Sequence, residues 1–215
     1  MQILLCAATV FEIEQTISYI KEKKLEKNVN VLISGVGMMA TTYALTKELF
    51  TNEYDLVLQA GIAGTVDKEI ELGKCVVIEN EYIGDLGVNE NGQFKTIFDL
   101  GFEKKDQLPW TNGALKNPSS EMLSLAALPI INGVTVDEIS TSDAKINYFQ
   151  NELNASIETM EGAALHYVCI MQKLPFLQLR SISNLIGERD KTKWLMKDAI
   201  DNVNLELQRI IEKTM

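Results

Sequence analysis

The chain has 215 residues, 46% hydrophobic and 23% charged, which is the make-up of an ordinary globular domain with enough length for a sizeable core. Twenty Lys and Arg against thirty Asp and Glu leave a net charge of −10, which argues against a nucleic-acid partner and would not steer an anionic substrate inward. No apolar run approaches the roughly 18 residues of a membrane span.

The opening MQILLCAATV lacks a basic leader region and reads as a first core strand, residues 2–9. A helix follows from Phe11, with Ile13, Ile17 and Ile20 on one face, and Glu12 stands at the junction. VNVLIS is the next strand, then a GVG turn and a helix over residues 38–50. DLVLQA is a strand expected to end in the turn Gly61-Ile62-Ala63-Gly64, and residues 74–83 form another. Residues 84–120, with five glycines, Pro109 and Pro118, show no clear period, so a binding loop, a lid or an oligomer contact is expected there. IINGVTVDE is a strand and residues 143–153 a helix capped by a Ser/Thr/Asp cluster. ASIETM, the helix opened by Glu161, the strand FLQLRSIS and a helix from about Thr192 to Lys213 complete the chain. Pro175 ends the helix before that last strand, because it lacks an N–H and disfavours helix at the residue before it.

Strands alternating with helices, with no repeat and no linker, predict one α/β domain over residues 1–215, built on a mainly parallel sheet. Ligands of such sheets bind at the carboxyl ends of strands, where Glu12, Glu161 and Asn184 fall. A purely structural alternative for Glu12 and Glu161 is an acid favoured by a helix dipole. Glu14 competes with Glu12 but points to another face of its helix. Gly35-Val-Gly37-Met-Met-Ala40 fits a dinucleotide turn, yet it lies in the second unit and Gln59-Ala60 stands where the acid is needed. The single histidine, His166, lies mid-helix and leaves little material for a His-centred triad or a zinc site; a structural or surface role is expected, and neither metal nor cofactor. Cys6, Cys75 and Cys169 lie apart in apolar runs, predicting free thiols in a reducing, cytoplasmic compartment.

ETMEGAALHYV followed by RSISN resembles the nucleoside phosphorylase and nucleosidase family, which includes methylthioadenosine/S-adenosylhomocysteine nucleosidases. The resemblance runs from the first strand to the last helix and implies a three-layer α/β/α sandwich with a mainly parallel, mixed central sheet. It implies Glu12 as the general base on a water, Glu161 on the ribose hydroxyls and Met160 against the sugar. Thr159 would offer main-chain contacts, and Ile62, Ala63 and Gly64 would lie beside the ribose. Ile139 would line the base pocket, with Arg180 and Ser183 supporting the water and the base-side loop. Phosphorylases in the family use a hydroxyl where this chain has Ile62, and hexameric ones an Arg after the first strand that is missing here. A phosphate dianion needs such partners, so water is favoured as nucleophile over the phosphorolytic alternative.

Adenine-specific members carry Asp where this chain has Asn184. A carboxamide donates to a 6-carbonyl while accepting from N7–H, which complements hypoxanthine or guanine. Together with the run SISNLIGERDKTKW, this implies futalosine, a hypoxanthine nucleoside of an alternative menaquinone pathway, as substrate. Its benzoate arm would meet Arg189 and Lys191, or residues 85–87. A small-molecule purine nucleoside is thus the expected partner, with neither nucleic acid nor membrane, and the resemblance implies a homo-oligomer, at least a dimer. The remaining alternatives are a methylthioadenosine-type nucleosidase and a non-catalytic nucleoside-binding module.

Overall fold

The computed structural model describes residues 1–215. In chain order the elements are β1 (Ile3–Ala7), α1 (Val10–Glu22), β2 (Val29–Ile33), α2 (Met38–Thr51), β3 (Leu56–Thr65), β4 (Cys75–Ile83) and the hairpin β5 (Gly87–Glu90) and β6 (Gln93–Thr96). They continue with β7 (Leu115–Lys116), α3 (Ser120–Ala126), β8 (Ile130–Thr135), α4 (Asp143–Asn151), β9 (Ile157–Thr159), α5 (Gly162–Gln172), β10 (Phe176–Leu185) and α6 (Met196–Thr214).

The alternation within β1 builds the layers. Ile3, Leu5 and Ala7 pack with Ile13 and Ile20 of α1, Leu123 of α3 and Val203, Leu207 and Ile210 of α6. Leu4 and Cys6 point the other way, onto Leu45 of α2, Leu165 and Val168 of α5, and Phe176. Successive strand side chains face opposite sides, so a fully apolar strand is what a sheet covered on both faces requires. The result is the α/β/α arrangement that the family resemblance implies.

The sheet is mixed, in the order β10-β4-β8-β9-β3-β1-β2 with β7 on β4. β1–β2, β1–β3, β3–β10, β4–β8 and β8–β9 run parallel, whereas β4–β10, β3–β9 and β4–β7 run antiparallel. The ten-residue β3 pairs with β10 along most of its length and with β9 at its end, so the sheet curls closed on itself. That closure explains a departure from the sequence reading. Gly61-Ile62-Ala63-Gly64 is not a turn but the second half of β3, held in register against Arg180–Asn184 of β10.

Other boundaries also move. The strands expected at residues 130–138 and 155–160 shorten to β8 and β9, and the expected start of the last helix is a 3-10 turn, Lys191–Lys193, ahead of α6. Asp190 sets that turn, accepting from the Thr192 N–H at 3.0 Å. The aperiodic residues 84–120 contain the β5–β6 hairpin, exposed along β5 and half-buried along β6. At their end α3 begins, a helix the sequence reading did not expect. Cys6, Cys75 and Cys169 are buried free thiols. His166 is fully buried, its Nδ1 2.8 Å from the Leu115 carbonyl. No helix is long and apolar enough to cross a membrane.

Candidate active site

A cavity of about 360 Å³ opens at the carboxyl ends of β1, β3, β9 and β10. Its lining includes Glu12, Ile62, Ala63, Gly64, Ile139, Thr159, Met160, Glu161, Ser183 and Asn184. Arg180 is absent from that lining: it lies one layer deeper, fully buried.

Glu12 is the third residue of α1 and closes a capping box with Thr9. Its Oε2 accepts from the Thr9 N–H and hydroxyl, each at 3.1 Å, and its Oε1 from the Ile62 N–H at 3.2 Å. The backbone at Ile13 leaves helical geometry (φ −128°), so the helix kinks directly after this residue. Glu14, the competing acid, is exposed and faces away from the cavity.

Glu161 stands at the N-cap of α5, with 6% of its surface exposed. Its Oε1 accepts from the Gly37 N–H at 3.1 Å, and its Oε2 lies 3.7 Å from the Arg180 guanidinium. This gives the Gly35-Val-Gly37 turn its use. Both glycines have positive φ (84° and 92°), a conformation that costs glycine little, and the bend delivers a backbone N–H to the buried acid. Burial raises the Glu161 pKa, the dominant effect, while Arg180 and the Gly37 N–H oppose the rise and Glu12 adds to it.

Gly61 is the junction of the charged groups. A Cβ there would sit 2.6 Å from both Glu12 Oε1 and Arg180 Nη1, so only a glycine lets β3 pass between them. Arg180 Nη2 donates to Gln59 Oε1 at 2.7 Å, which fixes the guanidinium from behind. The buried guanidinium beside Glu161 offsets part of the cost of removing both from water.

On the opposite wall, Ser183 donates to Asn184 Oδ1 at 2.8 Å, or to the Ala63 carbonyl at 3.1 Å, and Asn184 Nδ2 donates to the Leu185 carbonyl at 2.9 Å. Each end of the carboxamide keeps capacity for one further bond. Thr159 pairs its hydroxyl with that of Thr135 at 3.1 Å and accepts from the Gly162 N–H at 3.3 Å, so its side chain secures the start of α5. Arg189 lines the mouth, 5.7 Å from the Trp194 ring, whereas Lys191 does not reach the cavity. Asp85 and Gly87 line a neighbouring cavity that shares only Ile139 with this one, so those two do not serve as groups within the same pocket.

Glu158 and Trp194 also line the cavity and were not singled out from the sequence. Glu158 gives no signal in the sequence, because the burial of its strand is visible only once β8 and β3 are placed beside it. No group of three or more His, Cys, Asp or Glu side chains is arranged to hold a metal ion.

Comparisons with known proteins show what the chain is similar to. The chain is 28% identical over 188 residues to futalosine hydrolase of Thermus thermophilus, covering 84% of this chain and 80% of that one. It is 29% identical over 167 residues to 5'-methylthioadenosine/S-adenosylhomocysteine nucleosidase of Haemophilus influenzae, covering 74% and 69%. The solved native structure of futalosine hydrolase from Helicobacter pylori superposes with a TM-score of 0.81 at 18% identity, covering 99% and 98%, and so shares the fold. The family model for the phosphorylase superfamily matches residues 7–215, and the chain belongs to that superfamily.

Proposed function

We propose that this chain hydrolyses the N-glycosidic bond of a 6-oxopurine nucleoside, with futalosine as substrate. The observation that carries the reading is the meeting of Glu12, Glu161 and Asn184 on one cavity from three distant parts of the chain. Futalosine hydrolase is also the name borne by the Thermus relative.

Cleavage leaves positive charge on the ribose and negative charge on the base, and needs a water. Glu12, oriented by Thr9 and the Ile62 N–H, holds that water and accepts its proton. Glu161 binds the ribose hydroxyls and, buried, favours the cationic sugar electrostatically, with Met160 packing on the ring. Asn184 donates to O6 of the departing hypoxanthine anion, which takes its N7 proton from solvent, and the Asn184 carbonyl oxygen then accepts from that N7–H.

Water rather than phosphate is the nucleophile in this reading. The Ile62 N–H already serves Glu12, and Arg180 already serves Gln59 and Glu161. A dianion at that place would take its partners from the acids.

The test is release of free base from futalosine, its 6-amino analogue, methylthioadenosine and inosine, with and without phosphate. Hypoxanthine release from futalosine, fastest of the set and independent of phosphate, is expected. Phosphate-dependent turnover would replace hydrolysis by phosphorolysis, and preference for methylthioadenosine would move the chain to the adenine-releasing enzymes. No release from any of them would leave a nucleoside-binding module.

A further inference from the structure

Gly64 pairs with two strands at once. In register it faces Asn184 of β10 on one side and Glu158 of β9 on the other. Residues paired across strands project to the same face of a sheet, and neighbouring strands lie about 4.8 Å apart. Asn184 and Glu158 therefore stand roughly 10 Å apart on either side of Gly64, which adds no side chain of its own to the floor, with Ile186 packed against it. A Cβ on Gly64 would come within 3.3 Å of Asn184 Nδ2 and 2.9 Å of Ile186, so the amide leans over that floor. All three residues line the cavity. A planar bicyclic base fits such a slot edge-on, reading one wall with its O6/N7 edge and the other with N1.

Glu158 is equipped for the second wall. It is 7% exposed, and its Oε1 accepts from the Ser140 N–H at 3.1 Å. Its Oε2 is buried with no partner, as is the Ser140 hydroxyl in the same turn. A buried carboxylate oxygen without a donor is costly. Terminal carboxylate torsions are soft, so this oxygen can turn to a ligand while the other keeps Ser140.

Resting on the 6-oxopurine reading above, we propose that Glu158 is a second base-reading residue, its free carboxylate oxygen accepting from N1–H of the purine while Asn184 reads O6 and N7. A 6-aminopurine has no hydrogen on N1, and its lone pair would face the carboxylate. The pair Asn184 and Glu158 thus rejects adenine nucleosides at two atoms. Burial raises the Glu158 pKa, with the Ser140 N–H and Lys145 opposing and Asp85 adding to the rise. Protonated in acid, Glu158 becomes a donor that suits the bare N1 of adenine, and discrimination weakens.

The experiment compares parent and Glu158→Gln on futalosine and its 6-amino analogue, and measures binding of free hypoxanthine and adenine by calorimetry. Glutamine keeps an acceptor for the Ser140 N–H and turns an N–H donor to N1. The expected result is a kcat/KM for the 6-oxo substrate lower by about 10- to 100-fold and an unchanged or higher value for the 6-amino one. Hypoxanthine should bind more weakly and adenine more tightly. In the parent, which needs no altered fold, the 6-oxo to 6-amino ratio should fall as pH drops. An equal loss on both substrates, or a ratio flat with pH, would overturn the role of Glu158 and leave the hydrolase reading standing. A parent that releases no base from either substrate would sink both.

Discussion

Glu161 and Glu81 are both buried acids beside the start of α5, and their surroundings differ sharply. Glu161 opens on the cavity, with the Gly37 N–H and Arg180 as partners. Glu81, on β4, is sealed. Its Oε1 accepts from the Thr135 hydroxyl at 2.8 Å and its Oε2 has no partner. The carboxyl group occupies space that a Cβ on Gly133 or Gly162 would need, each at 2.7 Å. Gln178 and His166 lie nearby without well-formed bonds for the Gln178 amide or for His166 Nε2. Burial pushes the Glu81 pKa up to about 7 and the His166 pKa down to about 4. The contrast teaches that the fold places donors and a cation where the acid faces the cavity, and leaves the acid behind the helix near neutrality.

The sharpest way to break this contrast is on the cavity side. Glu12→Gln should lower kcat by about 10²- to 10⁴-fold, the usual worth of a general base, with hypoxanthine binding by calorimetry retained. A loss smaller than about tenfold would remove Glu12 from that role.

On the sealed side, Glu81→Gln should change stability rather than chemistry. The folded-state pKa of Glu81 lies above its ordinary value of 4.5, so the folded protein binds the extra proton. That contribution is fully present below about pH 4.5 and is lost as pH rises through about 7, a penalty on the order of 3 kcal/mol at higher pH. Glutamine removes it. Chemical denaturation from pH 5 to 8 should show the variant gaining on the parent as pH rises. His166, whose folded pKa is depressed, acts oppositely, its contribution being lost as pH falls from about 6.5 towards 4. It is common to both proteins and cancels in the difference. A difference flat with pH would mean that Glu81 does not titrate in this window.

The smallest effect belongs to Gly61, where the cavity and the deeper layer meet. Gly61→Ala places a methyl group 2.6 Å from Glu12 and Arg180, so it should cost about 1–3 kcal/mol of stability. It should also raise KM and lower kcat together, because both charged groups must shift. A melting temperature and kinetics equal to the parent's would show that the strand can yield there without moving them.

Much of this could be read from sequence because the signals were local. The apolar run Leu4-Leu5-Cys6 needed no partner to be recognised as a core strand, and Glu161 announced itself as an acid opening an apolar helix. The turns were harder. Gly61–Gly64 has the composition of a bend, and only the pairing with β10 extends it into a strand. Glu81 and Glu158 went unremarked for a related reason: an acid within a strand looks like a solvated position until the neighbouring strands are placed over it.

The sequence by itself determined which residues carry charge at strand ends, the alternation of strands and helices, and the carboxamide at position 184. Those follow from local chemistry and short-range periodicity, which any stretch of chain carries within itself. Only the tertiary structure decided that Glu12, Glu161 and Asn184 share a cavity, that Arg180 lies behind it, and that Gly64 leaves a floor between Asn184 and Glu158. Those facts depend on strand order and register, set by the burial of whole faces at once, which no single segment encodes.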